Sequence, residues 1–129
     1  MIQPQQIRLD PDPLEPYLLS QGFRVGDLVI TSGQAALDDQ GNVVGAGDFD
    51  AQAEQVFRNL TRVLEAGGSS LDRVVKVTIF LTDMANFGKI VDLRRKWFTP
   101  PYPADTIVEV SALALPELKI EIEAVAVAG

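Results

Sequence analysis

An α+β fold is predicted by three features of the sequence. Two stretches carry apolar residues at helical spacing, three stretches alternate in the β manner, and glycine- and proline-rich segments separate them. Residues 1 to 16 hold four prolines and little periodicity, which predicts an extended arm and no helix. "GDLVITSGQA" (26 to 35) is rich in β-formers and ends in Ser-Gly, as a strand does on leaving a sheet. "LDDQGNVVGAGD" follows as a loop or hairpin, with Asp39-Gln40-Gly41-Asn42 as its turn. The strongest helix comes next: Phe49, Ala53, Val56, Phe57, Leu60, Val63 and Leu64 fall on one face, Asp48 or Asp50 can cap its start, and Gly67-Gly68 its end.

"RVVKVTIFL" (73 to 81) is a strand in which Val75, Val77, Ile79 and Leu81 point one way and Lys76, Thr78 and Phe80 the other. Phe87, Ile90, Val91, Arg94, Trp97 and Phe98 make a second helical period, stopped by Pro100, Pro101 and Pro103. Trp97 and Phe98 read as core. In 105 to 113, Val108, Val110 and Ala112 share a face opposite Asp105, Ile107, Glu109 and Ser111; in 118 to 127, Leu118, Ile120, Ile122 and Ala124 oppose Lys119, Glu121, Glu123, Val125 and Val127. The purely apolar faces belong under the helices. The other sheet face then holds Lys76, Phe80, Asp105, Ile107, Glu109, Glu121, Glu123 and Val125. Phe80, Ile107 and Val127 would leave an apolar patch on it, so this face is expected to meet other copies of the chain.

Composition sets the class. The 129 residues, nearly half of them apolar, suit a single domain spanning 1 to 129. No run approaches the length of a membrane span, and the first residues lack the order of a signal peptide, so a cytoplasmic location without membrane contact is expected. The chain has no Cys and no His. That excludes disulfides, thiolate zinc sites, imidazole bases and triads, and leaves acid–base work to carboxylates, Tyr, Lys or water. No metal and no cofactor are expected: two acids without a spaced third ligand do not make a metal site. The net charge of −7 would repel a phosphate backbone, and Arg94-Arg95-Lys96 reads as a solvated helix face, so no nucleic-acid partner is expected.

"DLVITSGQ", the run "VLEAGGSSLDRVVKVTIFLTDM", the entry "PPYPADTIVEV" and the terminal "KIEIEAVAV" together resemble the RidA/YjgF family, in the family's order and over nearly the whole chain. The resemblance implies a chorismate-mutase-like α+β protomer, a homotrimer, and small-molecule pockets in the clefts between subunits. It also implies a cofactor-free hydrolase that turns reactive enamines or imines into ketoacids and ammonia, with an arginine of a Pro-Ala-Arg-Ser/Thr motif gripping the substrate carboxylate and a glutamate orienting water. Carried over by residue, Glu121 matches the glutamate and Gly33 the glycine whose backbone lines the pocket. Tyr17 resembles the family's pocket tyrosine, although a gap-free reading puts Leu19 there. Val91 and Ile107 stand for a pocket asparagine and cysteine.

The clamp motif has become Pro103-Ala104-Asp105-Thr106, so Thr106 is kept and the arginine is replaced by an anion. Ordinary 2-iminoacid deaminase activity is therefore not carried over, and a cleft sharing Asp105 and Glu121 is expected to prefer a cationic or neutral imine, or an amine. Structural alternatives stay open: Asp105 as a turn residue bonding the backbone of Thr106 or Ile107, and Glu121 as the partner of Lys119 or Lys76. Three functions follow: a hydrolase with altered charge preference, a non-catalytic trimer that binds a small metabolite, or ribonuclease and translation inhibition, which the acidic charge disfavours.

Overall fold

The computed structural model describes residues 1 to 129 as a six-stranded sheet with two helices packed on one face. In chain order the elements are β1 (Gln5–Ile7), β2 (Gly22–Val25), β3 (Leu28–Thr31), α1 (Phe49–Ala66), β4 (Val74–Leu81), α2 (Phe87–Trp97), β5 (Ala104–Glu109) and β6 (Ile120–Val127). The sheet order is β1-β2-β3-β6-β4-β5, in which only the β4–β5 pair is parallel, so the two halves of the chain meet where β6 enters between β3 and β4. This is the expected α+β architecture. None of the helices is long and apolar enough to cross a membrane.

α1 buries the whole predicted stripe, Phe49, Ala53, Val56, Phe57, Leu60, Val63 and Leu64, against Val77, Ile79, Ile120, Ile122, Ala124 and Ala126. Each large side chain in that layer contributes roughly 1.5–3 kcal/mol by leaving water. The Asp48 carboxylate accepts the Ala51 N–H at 3.1 Å as N-cap, and Gly68, at φ +82°, turns the chain out of the helix. Asp38 holds the 38–42 turn by accepting from the N–H groups of Gln40 and Asn42. In α2 only Ile90 is buried within the helix. Phe98 follows it into the core, and Trp97 stacks on Phe57 with centroids 5.2 Å apart.

The structure departs from the sequence expectation in four places. The arm is extended, but Gln5–Ile7 pairs with β2 as the sheet's edge and Ile7 is buried, because β2, a strand not anticipated, leaves an edge for it to cover. Val75 is 47% exposed and Val74 is buried in its place. Val74 pairs with Ala126 and Lys76 with Val125, so Val75 is the extra residue of a bulge. Asp105, Ile107 and Glu109 lie on the helix side of the sheet. Their parallel register matches them to Val77, Ile79 and Leu81, all of which face the helices, and Val108, Thr106 and Ala104 take the open face instead. The physical reason is length: β5 ends at Glu109, so Val110 and Ala112 are outside the strand, and the larger Ile107 wins the place beside Ile79 and the core. Finally, the exposed apolar residues on the open face are Phe23, Leu28, Ile30 and Val108 beside the half-buried Phe80, and Ile107 is not among them.

Candidate functional site

The β3–β6 ladder is interrupted where the site lies. Ile30 pairs with Val125, and pairing resumes only at Gln34 and Ile122, so residues 31 to 33 of one strand face 123 and 124 of the other. The gap is bridged by Thr31, whose hydroxyl accepts the Ala124 N–H at 3.1 Å; past it, the Gln34 N–H donates to the Ile122 carbonyl at 2.8 Å and the Gln34 carbonyl accepts the Ile122 N–H at 3.0 Å. Gly33 sits in this bulge, pressed against Glu121. A Cβ at position 33 would lie 2.2 Å from Glu121 Oε2 and 2.7 Å from its Cδ. Glycine is required there by close approach, with no unusual backbone angle involved. The Gly33 N–H has no acceptor within the chain, whereas Ser32 N–H, just before it, donates to the Gln21 carbonyl at 2.7 Å.

Around Gly33 and Glu121 opens a cavity of about 430 Å³ whose wall includes Tyr17, Leu19, Asn59 and Leu115. Tyr17 and Leu19 both line it, each more than half exposed. The short 3-10 turn Glu15–Tyr17, with Leu18 in the left-handed region at φ 61°, carries both side chains to the rim. Beneath the bulge runs a buried polar chain: Gln34 Nε2 donates to Gln21 Oε1 at 2.9 Å, and Gln21 Nε2 to Asp12 Oδ1 at 2.7 Å. It ties the arm to the Gly33 segment. Asn59 Nδ2 donates to the carbonyls of Ala35 and Leu37, both at 2.9 Å, and buried Gln52 bonds Gly45, Glu117 and Lys119, so α1 fixes the loops on either side of the cavity. Sequence reading passed over Asp12, Gln21, Gln34, Gln52 and Asn59. The one available signal was amides at core-facing positions of α1 and next to the Ser-Gly strand end.

Glu121 takes part in none of the chain's ion pairs, and Lys76 donates to Thr106 Oγ1 at 2.6 Å instead, so the pairing of Glu121 with Lys119 or Lys76 is not formed. Burial first, and the neighbouring Glu123 carboxylate second, push the Glu121 carboxyl above the ordinary glutamate value. An unpaired, proton-prone carboxylate beside a free backbone N–H is an arrangement suited to moving a proton to and from water.

Asp105 lies elsewhere. Glu121 pairs across the sheet with Phe80 on the open face, while Asp105 pairs with Val77 on the helix face, so within one protomer the two acids are on opposite sides of the sheet. The expected shared face is thereby corrected, and the raised Glu121 value owes nothing to Asp105. Asp105 makes no turn bond either: its Oδ2 accepts from Arg94 Nε at 2.9 Å, and its Oδ1 is buried without a partner. Arg94 is therefore not part of a solvated cationic face, because it lies one turn from Val91 on the α2 surface that meets β5. The idea of a cleft hostile to carboxylates required a bare Asp105, and the pairing removes that ground. Val91, Arg94, Arg95, Tyr102, Pro103 and Asp105 surround a second, more open cavity of about 390 Å³ at the β5 edge. Thr106 turns to the open face and Ile107 packs against the core, so neither side chain joins Val91 and Asp105 there.

The comparison with known proteins agrees with this geometry. A family profile described as Endoribonuclease L-PSP matches residues 8–128. The chain is 39% identical over 116 residues to a RutC family protein of Pyrococcus horikoshii, covering 90% of each. It is 38% identical over 120 residues to the 2-iminobutanoate/2-iminopropanoate deaminase of Salmonella typhimurium, covering 91% of each. The crystal structure of RidA from an Antarctic Psychrobacter superposes with a TM-score of 0.86 at 36% identity, over 95% of this chain and 98% of that one. With the fold and nearly its full length matched in this way, the chain belongs to the RidA/YjgF family, the one whose profile is described as Endoribonuclease L-PSP.

Proposed function

We propose that the protein is a cofactor-free hydrolase of a small imine or enamine, acting at the cavity of Gly33, Tyr17, Leu19 and Glu121. The observation that carries this reading is Glu121: a carboxylate with no cationic partner, raised in pKa by burial, set against a glycine that only a missing side chain allows so close. The names of relatives, two of them 2-iminobutanoate/2-iminopropanoate deaminases, support the reaction class. The chemistry balances with water alone. As the water oxygen bonds to the imine carbon, Glu121 takes one water proton and passes it to the nitrogen, giving a carbinolamine; Glu121 then takes the hydroxyl proton and delivers it to the nitrogen as the carbon–nitrogen bond breaks and the carbonyl forms, leaving a carbonyl compound and ammonia. A carboxyl held above its usual value is a stronger base than an ordinary glutamate, which favours its taking the water proton. The free Gly33 N–H is placed to hold a substrate oxygen, and Tyr17 and Leu19 screen the reacting carbon from bulk water.

The site is completed, in this proposal, between copies of the chain in a homotrimer. Phe23, Leu28, Ile30 and Val108 on the open sheet face support such burial, and a second copy is what would bring a β5 edge to the Glu121 cavity. The separation of Asp105 from Glu121 within a protomer favours one alternative, a trimer that binds a metabolite without turning it over. Ammonia and ketoacid release from 2-iminobutanoate generated in situ distinguishes the two. Glu121→Gln keeps the shape and is expected to lower turnover by about a hundredfold or more. Equal turnover by the variant and the unmodified protein would remove Glu121 from the mechanism, and no turnover by either would leave the binding reading.

A further inference from the structure

We infer that Arg94, aimed by Asp105, forms an anion subsite at the β5 edge that takes the carboxylate of a small 2-oxo or 2-imino acid. Arg94 donates to Asp105 through Nε alone, at 2.9 Å, and Nη1 and Nη2 have no acceptor in the chain. A pair whose only task was to pin α2 to β5 would be expected to use both carboxylate oxygens in a fork; here Oδ1 stays buried and unpartnered while the outer edge of the guanidinium is left open. Both side chains are mostly buried, at 26% and 15% exposure, so the guanidinium is oriented before any ligand arrives, and the open edge has the two-pronged shape that a carboxylate fits.

Charge and surroundings agree. The cavity is lined by Arg94, Arg95 and Asp105, so an anion entering it meets guanidinium donors on a chain of net charge −7. Arg95 is 70% exposed and paired to Asp92 at 3.1 Å, which leaves Arg94 as the positioned cation. Val91 and Pro103 beside it offer apolar contact to a short carbon chain, a fit for an organic acid that inorganic phosphate could not use. Asp105 is then a positioning residue: it does not repel the substrate but holds the group that binds it. This deepens the reading of the previous subsection, on which it rests for the nature of the acid, by giving that substrate a negative charge.

The test is binding of 2-oxobutanoate to the full chain by calorimetry or NMR titration, beside butanone, which lacks the carboxylate, and inorganic phosphate. Unmodified protein is expected to prefer 2-oxobutanoate to both. Arg94→Gln should weaken 2-oxobutanoate by about tenfold or more and leave butanone unchanged, and Arg94→Lys, which keeps the charge without the fork, should fall between. Asp105→Asn should lower the preference for 2-oxobutanoate over butanone by a smaller factor, a change that mere loosening of the helix would not produce. Arg58→Gln, on an exposed part of α1, controls for net charge. Asp105→Arg, which would set two guanidinium groups against each other, should bind 2-oxobutanoate more weakly than the unmodified protein. The assignment is overturned if Arg94→Gln, shown folded by circular dichroism, binds 2-oxobutanoate within twofold of the unmodified protein, if phosphate is preferred, or if no 2-oxobutanoate binds up to about 10 mM. Arg94-dependent binding without imine hydrolysis would sink the hydrolase reading and keep this one; hydrolysis of an uncharged imine without such binding would do the reverse.

Discussion

Replacing Gly33 by alanine tests the site through a single added carbon. That carbon would stand 2.2 Å from Glu121 Oε2, where ordinary contact begins near 3.4 Å, so the carboxylate must withdraw by roughly 1 Å. The atoms in the way are the Oε2, Cδ and Cγ of one side chain, so the backbone bulge and the core need not move. Position 33 lies outside the left-handed region, which adds no backbone strain to the substitution. Gly33→Ala is therefore expected to fold with a melting temperature within a few degrees of the unmodified protein, and yet to lose about a hundredfold in kcat. That is the usual scale for a catalytic group displaced by 1 Å, and it corresponds to about 2.7 kcal/mol of barrier. The assay is ketoacid formation from 2-iminobutanoate generated in situ, with thermal unfolding measured on the same samples. Activity within twofold of the unmodified protein would refute the reasoning, because a carboxylate that can be moved that far without consequence is not managing the proton. Loss of the fold together with activity would refute the other half, that the contact is confined to one side chain.

Glu121 also makes a prediction about pH. Its carboxyl is raised in the folded state by burial, so folded protein holds its proton to higher pH than unfolded chain does; this contribution to stability is whole below the ordinary glutamate value of about 4.3 and is lost as pH rises through the raised value. Glu121→Gln should therefore match the unmodified protein near pH 4 and unfold at a higher temperature at pH 7 to 8; equal melting temperatures across that range would show that burial imposes no such cost. Light scattering at micromolar concentration should give three protomers' mass, and Ile30→Asp on the open face should shift it toward one while circular dichroism is retained. A monomer in the unmodified protein would leave Glu121 and Arg94 working apart.

Much of the fold could be read from spacing because local geometry and burial agree there. Every position of the α1 stripe is buried as its period requires, Asp48 caps where a short acid precedes the first apolar residue, and Leu118, Ile120, Ile122 and Ala124 face the core as alternation requires. Gly33 and Glu121 could be named as a pair because each belongs to a short motif shared with a family, although nothing in their spacing of nearly ninety residues says they touch. The β5 face was read the wrong way round for a definite reason. Alternation identifies two faces but does not say which is covered, and Val108, Val110 and Ala112 made the more apolar face only if the strand ran past Glu109.

What the sequence determined by itself, then, is whatever depends on neighbours within a few residues: the helix periods and caps, the turns, the absence of thiol and imidazole chemistry, and the acids that remain to do the work. The tertiary structure decided everything that depends on two distant segments sharing a place. It settled the bulge at Val75, the close approach of Gly33 to Glu121, the buried Asp12–Gln21–Gln34 chain under it, and the meeting of Arg94 with Asp105. The last of these changes the chemistry most. A carboxylate read alone is a negative charge, and its effect on a ligand depends on the cation that packing sets beside it, a partner chosen by strand register and helix rotation, which no local pattern encodes.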